Sequence, residues 1–150
     1  MKIFDAINWG FSVLFDNNIP NPKVDTEYIL SYILDIDRFN LYLNKDKLLT
    51  ENEIKKFEDL INIRKTRKPL QYILKYTNFY GLDFYVDENV LIPRPETEYL
   101  CEHAINIIGN KSLKILDLCT GSGAIAITIS KQCPNSIVYG SDISEKALNI

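Results

Sequence analysis

Two carboxylates and a cluster of small residues set the chemistry open to this chain. Asp117 lies near the end of an apolar run, Lys114 to Leu118, and Cys119, Thr120, Gly121, Ser122 and Gly123 follow before a second apolar run begins at Ala124. Asp142 stands just after a third run, Ser136 to Ser141. Such a pattern reads as strand, glycine turn, helix and strand. A turn of this kind brings bare backbone N–H groups to a ligand, and acids at strand ends accept from hydroxyls or a cationic amine.

Three ligands compete for the turn. A phosphate-binding P-loop needs Gly-Lys-Ser/Thr, and Gly123 is followed by Ala124-Ile125, which excludes it. A dinucleotide fits better, because Gly121-Ser122-Gly123-Ala124-Ile125-Ala126 satisfies G-x-G-x-x-G/A and Asp142 follows at roughly the 20-residue spacing of a ribose-binding acid. That reading leaves Asp117 idle. In the third, Asp117 accepts from an amino group, Thr120 and Gly121 offer backbone N–H groups with little bulk, and Asp142 takes both ribose hydroxyls. The ligand is then a nucleoside with an amino-acid tail and no phosphate, S-adenosylmethionine. Each acid alone reads equally well as a strand-end cap; two flanking one glycine turn favour a ligand.

Periodicity supplies the elements that position these groups. Ile3, Ile7, Phe11, Leu14 and Phe15 recur at helical spacing and predict one buried face, ended by Asn17-Asn18 and the stretch Pro20 to Pro22. Pro22 suits the first turn of a second helix, with Tyr28, Ile29, Tyr32 and Ile33 as its buried stripe. Thr50-Glu51-Asn52-Glu53 is a capping box opening a third, with Ile54, Phe57, Leu60 and Ile61 on one face. Two short strands follow, Thr77 to Tyr80 and Asp83 to Val86, joined through Gly81. Pro93 and Pro95 stiffen the lead into another helix, Pro95 at its start and Glu96 and Glu98 in its first turn. Then come a strand (Lys114 to Leu118), the turn, a helix (Ala124 to Gln132), a strand to Ser141 and a new helix near Ser144.

The expected fold class is therefore α/β: an N-terminal helical bundle over 1–75, a short β-hairpin linker over 76–92, and over 93–150 the first β-α-β unit of a Rossmann-like sheet. Two parallel strands with one crossover helix leave a face uncovered, so the sheet reads as incomplete and the chain as cut short.

Composition narrows the class. With 46% hydrophobic and 25% charged residues the chain is globular and not disordered. A net charge of −3 argues against direct nucleic-acid binding. The opening MKIFDAINWGF is not a signal peptide, and no apolar run approaches the ~18 residues of a membrane span. Cys101, Cys119 and Cys133 are odd in number and form no CxxC, so neither a disulfide framework nor a metal site is expected, and the location is cytoplasmic. The run Arg64 to Lys68 reads as a solvated helix end, His103 as a surface or packing residue, and Cys101 and Cys133 as semi-buried fillers.

DLCTGSGAIAI and VLIPRPETE, spaced as here, together with KPLQYIL, NFYGLDFYVDENVLIPRPETE and NPKVDTEYIL, resemble the peptide chain release factor glutamine methyltransferases over essentially the whole chain. The resemblance implies a class I methyltransferase domain that methylates the glutamine side-chain amide in the Gly-Gly-Gln loop of release factors. It also implies a monomer whose helical domain docks that protein substrate. Cofactor residues carried over are Asp117, Cys119, Thr120, Gly121, Ser122 and Gly123, with Asp142 on the ribose and Ile143 against the adenine. Two departures stand out: Cys119 replaces a glycine, which suggests an ordinary φ there, and Lys75 stands where QYI is commonly followed by glycine. The family's Asn-Pro-Pro-Tyr, which grips the glutamine amide, does not occur in these 150 residues. No catalytic residue is therefore assigned, and the chain alone is expected to be inactive. The alternatives are a non-catalytic release-factor-binding module and a methyltransferase for another amine such as DNA adenine.

Overall fold

The computed structural model describes residues 1–150, which divide into two compact units, Met1–Leu74 and Lys75–Ile150. The first is wholly helical: α1 (Ile3–Asp16), α2 (Pro22–Leu34), α3 (Arg38–Leu43), α4 (Glu51–Lys65) and α5 (Leu70–Leu74). Its core holds Ile3, Ile7, Leu14, Ile29, Leu30, Leu41, Phe57 and Ile61. At α4 the capping box forms in both directions, Glu53 N–H donating to Thr50 Oγ1 and Thr50 N–H to the Glu53 carboxylate. Helix α1 approaches its neighbours closely at Gly10, where an added Cβ would fall 2.7 Å from Thr26 Cγ2 and 2.9 Å from Phe57 Cζ.

The buried faces depart from the expected stripes. Phe11 and Phe15 are exposed and stack on each other at 5.5 Å, while Ala6 and Gly10 take the inner positions of α1. Small residues win there because the helices pack too tightly for phenylalanine rings. On α2, Tyr28 and Tyr32 are exposed, and Asp25, Thr26 and Glu27 are buried beside Ile29 and Leu30.

The buried acids have partners that apolar periodicity cannot register. Glu27 accepts from Arg38 Nε at 2.9 Å, from a second nitrogen of the same guanidinium, and from the Tyr42 hydroxyl, tying α3 to α2. The Arg38 guanidinium also lies 4.8 Å from the centre of the Tyr28 ring, a cation–π contact on the outer surface. Asp25 accepts from Arg64 Nε at 2.7 Å, and Arg64 Nη1 donates to the Lys68 carbonyl at 3.1 Å. Arg64 is thus a buried ion-pair partner and not part of a solvated run.

The second unit opens with a hairpin, β1 (Tyr76–Phe79) and β2 (Leu82–Tyr85), closed between Phe79 and Leu82 by the two-residue turn Tyr80-Gly81. Both turn residues have positive φ, 52° and 72°, the geometry that matches the twist of a tight hairpin. Lys75, just before it, also stands at positive φ, 63°, a conformation that glycine adopts without strain. Helix α6 (Thr97–Ile108) begins two residues after Pro95, because Pro95 occupies a preceding turn in which the Arg94 and Pro95 carbonyls accept from Thr97 and Glu98. The unit ends with β3 (Lys114–Leu118), α7 (Ala124–Gln132), β4 (Ile137–Ser141) and α8 (Glu145–Leu148).

Strands β3 and β4 pair in parallel, Lys114 opposite Ile137 through Leu118 opposite Ser141. Ile115 and Val138 face a core formed with α6 and α7 by Ile108, Ile129 and Cys133. On the other face Leu116, Leu118, Ile137 and Tyr139 are exposed. The architecture is the expected incomplete α/β sheet, following a helical unit in sequence. No helix is long and apolar enough to cross a membrane.

Candidate functional site

The turn between β3 and α7 grows out of the parallel ladder. Thr120 N–H donates to the Ser141 carbonyl at 2.9 Å, carrying the pairing one step past the strand, and the Thr120 carbonyl accepts from Gly123 N–H at 2.9 Å. Gly123, at φ 74°, then caps α7. Gly140 makes room for this path: a Cβ there would lie 2.9 Å from Thr120 Oγ1. The glycine inside β4 was the available sign of that close approach.

Asp117 and Asp142 meet the turn from both sides. Thr120 Oγ1 donates to Asp117 Oδ2 at 2.7 Å, leaving the second Asp117 oxygen as an acceptor. Asp142 Oδ2 accepts from Gly121 N–H and its Oδ1 from Ser144 N–H, each at 2.9 Å. The Ser144 and Gly121 amides hold the Asp142 carboxyl below the usual carboxylate range, so it is anionic and acceptor-only at neutral pH. Each Asp142 oxygen has two lone pairs and spends one on the backbone, which leaves a pair of acceptors fixed in place.

These groups fit a nucleoside with a cationic tail. Gly121 stands at φ 56° with nothing within 4 Å of where a Cβ would be, so bare backbone faces open space. Ile143, beside Asp142, is fully exposed and offers an apolar surface. Ser122 lies half-buried in the turn. Seven of the eight singled-out residues, Asp117, Thr120, Gly121, Ser122, Gly123, Asp142 and Ile143, are thus set around one turn by these bonds and chain neighbours, while Cys119 enters it from the strand.

Cys119 corrects one expectation. Its φ is 62°, not the ordinary negative value, so the residue stands where glycine is unstrained. The side chain is exposed and free of any disulfide. Cys119→Gly is therefore expected to stabilise the unit by about 1 kcal/mol, after part of the relieved strain is offset by the freer unfolded chain. A shift of the urea midpoint upward would bear this out, and an unchanged or lower midpoint would contradict it.

The bracing around the turn carried weaker sequence signals. The hairpin's Phe79 and Phe84, edge to face at 6.2 Å, form a buried cluster with Cys101 of α6 and Ala124 of α7. Cys101 is fully buried, and burial first, then the negative fields of Asp117 and Glu98, push its thiol up. His103 is exposed, away from any such role.

A parallel strand–turn–helix–strand with acids at both strand ends, following a helical unit in sequence, matches the opening of an incomplete α/β methyltransferase fold. Residues 5–74 match the PrmC N-terminal domain. The chain is 42% identical to the release factor glutamine methyltransferase of Clostridium acetobutylicum, over 100% of this chain and 53% of the relative. It is 40% identical to that of Fusobacterium nucleatum over 97% of this chain and 42% of the relative. With the enzyme of the same name from Flavobacterium psychrophilum it shares 47% identity over 80% of this chain and 44% of the relative. The chain is thus similar, over 80–100% of its length, to proteins named release factor glutamine methyltransferase. It spans about half the length of the curated relatives it matches.

Proposed function

We propose that the β3–α7 turn binds S-adenosylmethionine and that the chain provides the cofactor turn and the docking domain of a release factor glutamine methyltransferase. The observation that carries the cofactor reading is the pairing of Asp142 with Gly121 N–H and Ser144 N–H, which fixes two acceptors at the end of β4 beside bare glycine backbone. Asp142 would hold the ribose hydroxyls, Asp117 the tail's amino group, and Ile143 the adenine face; Thr120 orients Asp117 through its hydroxyl. Cys119, Ser122 and Gly123 would line or shape the turn. When bound, the cofactor supplies an electrophilic methyl group on a sulfonium. The acceptor would be the glutamine amide of a release factor's Gly-Gly-Gln loop; the relatives' names support the release factor and the glutamine. The helical unit would recognise the release factor, supported by its match to the family's N-terminal domain.

Asn-Pro-Pro-Tyr is absent from these residues, so the amide grip that would orient the acceptor nitrogen is not among them. The 150-residue chain is accordingly expected to bind S-adenosylmethionine and to transfer no methyl group by itself. Calorimetric titration with S-adenosylmethionine, competed with NADH, tests the first half; preferential NADH binding would favour a dinucleotide turn. Incubation with radiolabelled cofactor and a purified release factor tests the second, and label on the release factor would overturn it.

A further inference from the structure

We propose that Glu98 is a positioning residue for the cofactor turn, acting through the hairpin without touching the ligand. This rests on the cofactor reading above and adds to it a residue that the turn's own sequence does not contain. Glu98 lies in the first turn of α6 and its Oε1 accepts from Tyr80 N–H at 2.9 Å, across 18 residues of chain. Tyr80 needs that partner. It holds φ 52°, a left-handed conformation unfavourable for a tyrosine, and its amide points out of the hairpin at the tight turn.

The bond fixes where the hairpin lies. Phe79, immediately before Tyr80, is 1% exposed and packs with Phe84, Cys101 and Ala124. Ala124 is the first residue of α7 and directly follows Gly123, so the aromatic pair supports the point where the turn becomes helix. Helix α6 therefore holds the hairpin twice, by the hydrogen bond that Glu98 accepts from Tyr80 N–H and one turn later by the packing of Cys101. The packing alone permits the rings to slide; a charge-assisted bond to one backbone amide sets their place. Release of that bond lets the hairpin tip shift against α6 and withdraws support from Gly123 and Ala124.

Backbone amide spectra of the whole chain test this without any ligand. In Glu98→Ala the Gly121, Gly123 and Ala124 signals are expected to move, with Gly10 and the rest of the helical unit unchanged. Glu98→Gln, which keeps an Oε1 acceptor, is expected to leave them near their original positions. S-adenosylmethionine affinity is expected to fall about tenfold in the alanine variant, the scale of one hydrogen bond to a charged acceptor, and by less than about threefold in the glutamine variant. Unmoved turn signals in Glu98→Ala would overturn the proposal, as would equal shifts in both variants, which would make charge and not the hydrogen bond responsible. If Glu98→Ala unfolds, Glu98→Asp, one methylene shorter, takes its place and must move the same signals. If the original chain binds no S-adenosylmethionine, the cofactor reading fails while the spectra still decide the role of Glu98.

Discussion

Asp142→Ala is expected to weaken S-adenosylmethionine binding about ten- to a hundredfold, from loss of hydrogen bonds to a charged acceptor. The substitution removes more than the two lone pairs proposed to take the ribose hydroxyls. It also unfastens Gly121 N–H and Ser144 N–H, the two amides that the carboxylate gathers at the end of β4. Asp142→Asn should fall between, since one side-chain oxygen survives but the new amide nitrogen meets a backbone donor. The pH dependence has a definite sign. A carboxyl held below its usual range by backbone donors keeps its contribution above the unfolded value and loses it as pH falls through the folded one. Affinity in the original chain should therefore stay level from about pH 7, below the titration of the ligand's amino group, to pH 5. Calorimetry across that range checks it; an alanine variant of unchanged affinity would remove Asp142 from the site.

Arg64→Met should destabilise the helical unit by about 3 kcal/mol at neutral pH, because it strands Asp25 as a buried carboxylate without its cation. Both side chains are 11% exposed, so solvent screens the pair little. Burial, the largest influence, already raises the Asp25 carboxyl above the usual range even with Arg64 opposing it. Removing the guanidinium raises it further. A carboxyl raised in the folded state favours folding below its unfolded value and loses that advantage as pH rises through the folded one. The deficit of Arg64→Met should thus be small at about pH 4 and grow toward pH 7. Urea denaturation at both values reads this directly. A deficit independent of pH would mean that the lost bond to the Lys68 carbonyl and the lost packing, and not the stranded acid, set the cost.

The sequence shows the backbone of the site more clearly than its fastening. Strand β3, helix α7 and the Ser144 cap fall where hydrophobic runs and turn residues place them, because those signals are local. The capping box of α4 is legible for the same reason, with both partners inside four residues. What escapes is whatever depends on a distant partner. Tyr28 and Tyr32 look like core and are not, since Glu27 and Asp25 turn inward toward Arg38 and Arg64, and pattern reading assigns acids outward. Phe11 and Phe15 yield the inner face of α1 to Gly10 because of atoms on α2 and α4. Cys119 hides its left-handed backbone because its residue type suggests the opposite. Helix α3 is only Arg38–Leu43, too short for periodicity, and is held by its bonds to Glu27.

The close approach of Thr120 to Gly140 has an evolutionary consequence. One strand cannot acquire a side chain at 140 while the neighbouring turn keeps a threonine at 120, because a new Cβ would sit 2.9–3.2 Å from the hydroxyl, methyl and Cβ of that threonine. The two positions share a single volume, so growth at 140 depends on what stands at 120. A lineage that enlarged residue 140 first would displace the hydroxyl that holds Asp117, whereas one that shrank residue 120 to glycine first would lose the bond but keep the strand. The order of substitutions open to this turn is therefore set by packing: contraction at 120 must come before growth at 140.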